Sequence, residues 1–245
     1  YILIMSKPKP YKDFKFKQFS IQHKNAAMKI GTDGILLGAW ADVSNSSSLL
    51  DIGTGTGIIA IMQAQKNNKL SIDAIEVEKS ACIDAEININ NCNWSKNIHL
   101  HHCSLSSFHP NKTYDCIISN PPFFVNSLKS NSNERSNARH TQSLHFDHIL
   151  EFSFKHLSKH GNLSLILPVE QGDLCTINAD KLGLFLTRKC NVFPNPLKDK
   201  HRLLLEFSKT KKKTIENNLI IETKKRHEYT KEYISLTRGF YTIFD

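Results

Sequence analysis

Leu49-Leu50-Asp51-Ile52-Gly53-Thr54-Gly55-Thr56-Gly57 joins an apolar run to a second apolar stretch over 58–65. A strand that enters a helix through glycines is where open α/β sheets bind nucleotide-like ligands. The glycines remove Cβ so that a ligand can approach the backbone, and the helix start offers unpaired N–H groups. A dinucleotide fingerprint reads G-x-G-x-x-G, whereas this turn reads D-x-G-x-G-x-G, which disfavours a nicotinamide oxidoreductase. Asp51 sets a fixed negative charge beside the turn. It would repel a pyrophosphate but suits a ligand carrying an ammonium and a sulfonium, and S-adenosylmethionine is such a ligand. The ribose of that ligand needs a diol acceptor at the end of the next strand. Glu76 stands 23 residues after Gly53, near the usual spacing of about 20. The plain alternative is a tight strand–helix turn with surface acids.

Outward from this turn, short apolar runs alternate with helical stretches, the pattern of a parallel sheet covered by helices. Strands are expected over 48–52, 70–77, 98–103, 114–119 and 162–168, and helices over 58–65, 79–90 and 147–158. The runs 184–193 and 203–207 are separated by a loop too short for a helical crossover, so they should pair antiparallel. The expectation is an α/β, Rossmann-like domain: a mostly parallel seven-stranded sheet with an antiparallel C-terminal hairpin and helices on both faces. Before it, 14–22 alternates like an exposed strand, and Thr32 or Asp33 can N-cap a short apolar helix. Residues 1–43 are read as a basic extension packed on the domain formed by 44–245. Tyr1 to Lys7 carry little pattern and read as lying upstream of a start at Met5.

The strand over 114–119 runs directly into Asn120-Pro121-Pro122-Phe123. The prolines stiffen the backbone and cannot donate, leaving carbonyls free as acceptors. An exocyclic NH2 on a purine or an amide is a poor nucleophile because its lone pair is delocalised. The Asn120 side-chain carbonyl and the Pro121 backbone carbonyl can hold both of its N–H bonds and favour pyramidalisation as it attacks a sulfonium methyl. This is positioning plus electrostatics, with no strong base required beforehand. Phe123 offers a face for an unstacked base, worth about 1–3 kcal/mol by analogy with single-strand stacking. Residues 124–145, rich in Asn, Ser, Lys and Arg, form a loop long enough to suggest function.

The 245-residue chain carries 32 Lys and Arg against 23 Asp and Glu, a net charge of +9, which suits a polyanionic partner. No apolar run approaches the ~18 residues of a membrane span and no signal-peptide pattern opens the chain, so neither secretion nor membrane insertion is expected. The six cysteines form no C-x-x-C pair and read as reduced, mostly core thiols in a cytoplasmic protein. His156 and His160 stand four apart without the intervening Glu of a zinc-protease pattern, so no metal is expected.

The Gly turn and Asn120-Pro121-Pro122-Phe123 resemble those of class I S-adenosylmethionine-dependent amino methyltransferases. The stretch Phe16-Lys17-Gln18-Phe19 through Met28-Lys29-Ile30-Gly31-Thr32-Asp33-Gly34-Ile35-Leu36-Leu37-Gly38-Ala39-Trp40 is more specific. It resembles the bacterial tRNA1(Val) (adenine-37-N6)-methyltransferase family, whose members modify the adenine 3′ of the anticodon. Ala138-Arg139-His140-Thr141, Leu167-Pro168 and a C-terminal helix over 233–244 extend the likeness to nearly the whole chain. The resemblance implies that Asn120, Pro121, Pro122 and Phe123 bind the target amine and base. It implies that Asp51, Gly53, Gly55, Gly57, Glu76 and Asn120 hold the cofactor, with Lys29, Thr32 and Asp33 at its mouth. Phe123 stands where the family often has Tyr; related guanine-N2 rRNA methyltransferases also tend to carry Phe, which keeps a guanine target as the alternative. Ser104 stands where the family usually has Asp, and can still hydrogen-bond the cofactor's adenine amine. Glutamine N-methylation in a protein uses the same chemistry, but the charge and the N-terminal match argue against it. A non-catalytic RNA-binding module conflicts with the intact motifs.

Lys15 and Lys17, with Arg135, Arg139 and His140 in the long loop, are the expected RNA contacts, and further basic residues lie at 209–213 and 224–226. Tyr11, Phe14, Phe16 and Phe19 interleave the first group. Basic and aromatic residues together suit a tRNA anticodon stem-loop, bound by a monomer.

Overall fold

The computed structural model describes residues 13–26, 29–122 and 146–244. A two-stranded ribbon, β1 (Phe14–Lys15) and β2 (Ser20–Ile21), opens it, followed by α1 (Thr32–Trp40). The alternating part is β3 (Ser48–Ile52), α2 (Ile58–Lys66), β4 (Ser71–Glu76), α3 (Lys79–Asn90), β5 (Ile98–His102) and β6 (Tyr114–Ser119). Then come α4 (Phe146–His156), β7 (Leu157–Pro168), α5 (Val169–Lys181), β8 (Phe185–Phe193), β9 (Arg202–Ser208), β10 (Ile215–Ile220) and α6 (Lys231–Thr237).

The main sheet runs β10-β8-β9-β7-β6-β3-β4-β5. From β7 to β5 every pairing is parallel, which the sequence pattern anticipated because strands buried on both faces read as continuous apolar runs. The short loop between β8 and β9 does force antiparallel pairing, and β7 pairs β9 antiparallel as well. One apolar layer, with α1 and α2, covers one face, and a second, with α4 and α5, covers the other.

Four expectations need correction. The sheet has eight strands: β10 joins the edge parallel to β8, although four of its six residues are exposed. The helix α5 fills the space between β7 and β8, where none was expected; Leu174 and Ile177 on it are exposed, which blurs its apolar stripe. The C-terminal helix stops at Thr237, ahead of Gly239. At the start of α1 the N-cap is Gly31, with no side-chain cap, so neither Thr32 nor Asp33 plays that part.

The C-terminal end of α1 is instead secured by Lys66, whose Nζ donates to the carbonyls of Gly38, Ala39 and Ala41. Burial pulls the Lys66 ammonium down to about 8. The first and last described segments meet: Phe16 bridges Tyr241, the Lys17 N–H donates to the Phe240 carbonyl and its Nζ to the Phe244 carbonyl. Phe16 and Phe19 are buried in this aromatic cluster, stacked at 4.6 Å, so they are core and not a platform for bases. Tyr11 lies outside the described residues.

Candidate active site

The strand order reverses between β3 and β6, since β3 has β4 on one side and β6 on the other. This is the switch point where open α/β sheets bind ligands, at the carboxyl ends of the strands. Ile52 pairs with Ser119, and the Ser119 hydroxyl donates to the Ile52 carbonyl at 2.7 Å. Gly53 and Asn120, the next residues, therefore leave the sheet side by side. Glu76 and Ser104 lie at or just beyond the ends of β4 and β5 on the same edge.

The Gly turn has left-handed backbone at Gly53 (φ 70°), Gly55 (58°) and Gly57 (80°), which side-chain-bearing residues rarely adopt. A Cβ on Gly55 would meet nothing within 4 Å: the turn faces open space. Gly55 N–H donates to Glu76 Oε2 at 2.8 Å, while Glu76 Oε1 accepts from Val77 and Glu78 N–H at 2.8 and 2.9 Å. Three amides thus fix the carboxylate and leave a lone pair on Oε2 for a ligand hydroxyl.

Asp51 is fully buried, and its Oδ2 accepts from the Thr54 hydroxyl at 2.6 Å. Among the described residues its Oδ1 has no hydrogen-bond partner, nor does the buried Oδ1 of Asn120 just beyond the neighbouring strand. Burial pushes the Asp51 carboxyl up to about 7; the Thr54 hydroxyl and the nearby Ala60 backbone N–H oppose the rise, and the Glu76 charge adds to it. Two orphaned buried acceptors beside an open glycine cradle suit a cationic ligand and an amine donor, so the residues fit S-adenosylmethionine.

The remaining candidates are distributed as follows. A Cβ on Gly34 would lie 3.9 Å from Asn120 Nδ2, so α1 runs against the Asn120 side chain and its start, with exposed Thr32, borders the same edge. Asp33 Oδ2 takes Arg202 Nε at 2.8 Å. Lys29 Nζ donates to the carbonyls of His23 (2.7 Å) and Ala26 (3.3 Å) and so closes its own loop. The Ser104 hydroxyl is engaged with Ser106 and Ser107, both at 2.9 Å. Pro121 is buried and Pro122 exposed. Lys15 is exposed on β1. Phe123, Arg135, Arg139 and His140 lie outside the described residues.

The sequence reading overlooked a clasp on α3. Asp84, fully buried, accepts from the N–H groups of Asn25 and Ala26 (both 2.8 Å) and from Asn25 Nδ2 (2.7 Å). One turn on, Asn88 accepts from Gln22 N–H and donates to the carbonyls of Gln22 and of Thr56 in the Gly turn. The segment leading to Lys29 and α1 is thereby tied to the cofactor turn. The available signal was that Asp84 and Asn88 share the period-3.6 stripe of buried Ala81 and Ala85. Asp84→Ala leaves the buried Ala26 amide without its acceptor and frees the exposed Asn25 loop; it is expected to cost about 1–3 kcal/mol in urea unfolding and to raise KM for the cofactor.

All six cysteines are free, five of them buried. Burial pushes Cys82 and Cys190 up to about 11, so neither is a thiolate nucleophile. Among the described residues no group of three His, Cys, Asp or Glu side chains could hold a metal ion, and no helix is long and apolar enough to cross a membrane.

The switch-point edge and the sheet order define an α/β domain of the methyltransferase class. Solved structures with this fold include a predicted O-methyltransferase from Agrobacterium tumefaciens (TM-score 0.65, 17% identity, 85% of this chain and 96% of that one). A methyltransferase from Pyrococcus furiosus is similar as well (TM-score 0.54, 20% identity, 77% and 91%). The family model "Methyltransferase small domain" matches residues 26–173. Two relatives, from Flavobacterium psychrophilum (42% identical, 93% of this chain, 98% of the relative) and Trichodesmium erythraeum (44%, 93%, 97%), are each named tRNA1(Val) (adenine(37)-N6)-methyltransferase. The chain belongs to the tRNA1(Val) (adenine(37)-N6)-methyltransferase family, within the methyltransferase small-domain group.

Proposed function

We propose that the protein methylates the exocyclic N6 amine of adenine 37, 3′ of the anticodon in tRNA1(Val), acting as a monomer in the cytoplasm. The observation that carries the site chemistry is Asn120 Oδ1, a buried acceptor without a partner at the switch point. The substrate rests on near-full-length similarity to relatives named for that reaction.

S-adenosylmethionine, when bound, supplies an electrophilic methyl on its sulfonium. Glu76 binds the ribose hydroxyls with its fixed carboxylate, and Gly53, Gly55 and Gly57 let the ligand lie against the backbone. Asp51 offers its free Oδ1 to the cationic end. Ser104 meets the adenine edge, and Lys29, Thr32 and Asp33 shape the mouth, Lys29 and Asp33 through the loop and α1 contacts described above. Asn120 Oδ1 and the Pro121 carbonyl each accept one N–H of the target amine, which draws its lone pair out of conjugation and orients it. The proton leaves to water once the nitrogen is alkylated, so these residues need not act as a strong base. Phe123 stacks the extruded base, and Lys15, Lys17, Arg135, Arg139 and His140 contact the RNA backbone.

The test incubates the protein with labelled S-adenosylmethionine and unmodified tRNA transcripts, then identifies the methylated nucleoside by mass spectrometry. N6-methyladenosine from the anticodon loop of a valine tRNA is expected. Methylguanosine, or label only in rRNA or protein, overturns the substrate.

A further inference from the structure

The sequence places two basic runs near the C-terminus, and the sheet directions separate them. β6 runs up to Asn120, β7 is parallel to it, β9 is antiparallel to β7, β8 to β9, and β10 is parallel to β8. Ile220 therefore ends on the same edge as Asn120, four strand spacings away, about 19 Å. Residues 209–214, which leave β9 and enter β10, lie on the opposite edge.

The segment after β10 is a built hairpin. Glu222 bridges Tyr229, Thr223 N–H donates to the Glu228 carbonyl at 2.7 Å, and Thr230 N–H to the Ile221 carbonyl at 3.0 Å. Its base is fixed by Tyr229, which stacks on Tyr233 and meets Phe244 edge-on at 5.3 Å. Its tip carries Lys224, Lys225, Arg226 and His227, all exposed. His227 holds left-handed backbone (φ 66°) to turn the chain there. Lys225 lies 3.8 Å from Glu228 and His227 3.9 Å from Glu222; among the described residues Lys224 and Arg226 are in no ion pair. The opposite run is used differently. Lys209 Nζ donates to the Leu157 carbonyl and lies over the Phe154 ring, and Lys211 lies over the Phe185 ring.

We propose that the 222–229 hairpin is a phosphate-backbone clamp for the tRNA, gripping the stem while the loop base sits at Asn120, and that the 211–213 run takes no part. This rests on the tRNA reading above and adds where the stem lies. A hairpin whose base leaves the sheet about 19 Å across from Asn120, and whose cationic tip projects beyond it, can reach a duplex backbone without approaching the base.

The experiment measures binding of a full-length tRNA1(Val) transcript across salt concentrations for wild type, K224Q/K225Q/R226Q and K211Q/K212Q/K213Q. The two triples remove the same charge, so a general loss of field is controlled. S-adenosylmethionine affinity and thermal unfolding check that each variant is folded. The hairpin triple is expected to weaken tRNA binding at least about 10-fold near 0.1 M salt and to lower the slope of log affinity against log salt by roughly 2–3. The other triple should bind as wild type. Unchanged binding by the hairpin triple, or equal loss in both, overturns the proposal. Wild type that binds the transcript but leaves adenine 37 unmodified defeats only the substrate reading, since the clamp is judged on binding alone; wild type that fails to bind it defeats both.

Discussion

Asn120→Ala is expected to lower methyl transfer by about 10²–10³-fold in kcat, the usual loss when one preorganised polar group at the reacting centre is removed. Its Oδ1 is buried, partnerless and held in place from both sides. The Ser119 hydroxyl bonds the Ile52 carbonyl below it, and α1 passes beside its amide nitrogen at Gly34. Among the described residues nothing competes for that acceptor, so the interaction is made only with the amine. Cofactor affinity, measured by titration calorimetry, should change by no more than a few-fold, because Asp51, Glu76 and the glycines are untouched. A comparable fall in cofactor affinity would instead make Asn120 a binding residue.

The second large effect concerns Asp51 and has opposite signs for stability and for binding. With its carboxyl raised to about 7 in the folded protein against 3.8 as its ordinary value, the folded state holds more protons between those limits. Stability therefore falls as pH rises through that window and levels off above about 7. At about 1.4 kcal/mol per pH unit the loss is on the order of a few kcal/mol. Asp51→Asn removes the charge, so relative to wild type it should gain stability between pH 4 and pH 8, seen as a Tm difference that grows with pH. Binding runs the other way. The cation needs the ionised carboxylate, so wild-type cofactor affinity should rise with pH towards about 7 and then flatten. The Asn variant should bind about 10–100-fold more weakly at pH 8, the worth of a hydrogen bond to a charged group, with no such pH dependence. Equal stability of the two proteins at pH 8 would mean that burial does not raise the Asp51 carboxyl.

The parts legible in the sequence are those whose cause is local. The run 48–52 is buried almost throughout and carries Leu49, Leu50 and Ile52 around Asp51, and the glycines that follow turn left-handed, so both can be read without knowing any partner. The same holds for Asn120-Pro121-Pro122 after a continuous apolar strand. What escaped depends on distant neighbours. β10 reads Ile-Glu-Asn-Asn-Leu-Ile with little alternation, and it is a strand because β8 offers it a free edge. α5 shows two exposed apolar side chains, and its Gly172 sits where a Cβ would strike Leu203 at 2.9 Å, a contact no local pattern encodes. The α3 clasp pairs Asp84 with residues 58 and 59 positions earlier. Phe16 and Phe19 alternate with lysines like an RNA-stacking face, yet the C-terminal aromatics bury them.

That meeting of the first and last described segments sets an order of assembly. Lys17 reaches the Phe244 carbonyl across 227 positions of sequence, and closing so long a loop is favourable only after the intervening sheet has formed. On the ribosome, residues 14–19 are made long before 241–244, so their contacts with those residues form late. A nascent or truncated chain lacking Tyr241 to Phe244 would have its Gly turn and sheet in place while the segment carrying Lys29 towards α1 keeps only its α3 clasp. The 241–244 contacts thus anchor the far end of the segment that borders the cofactor mouth.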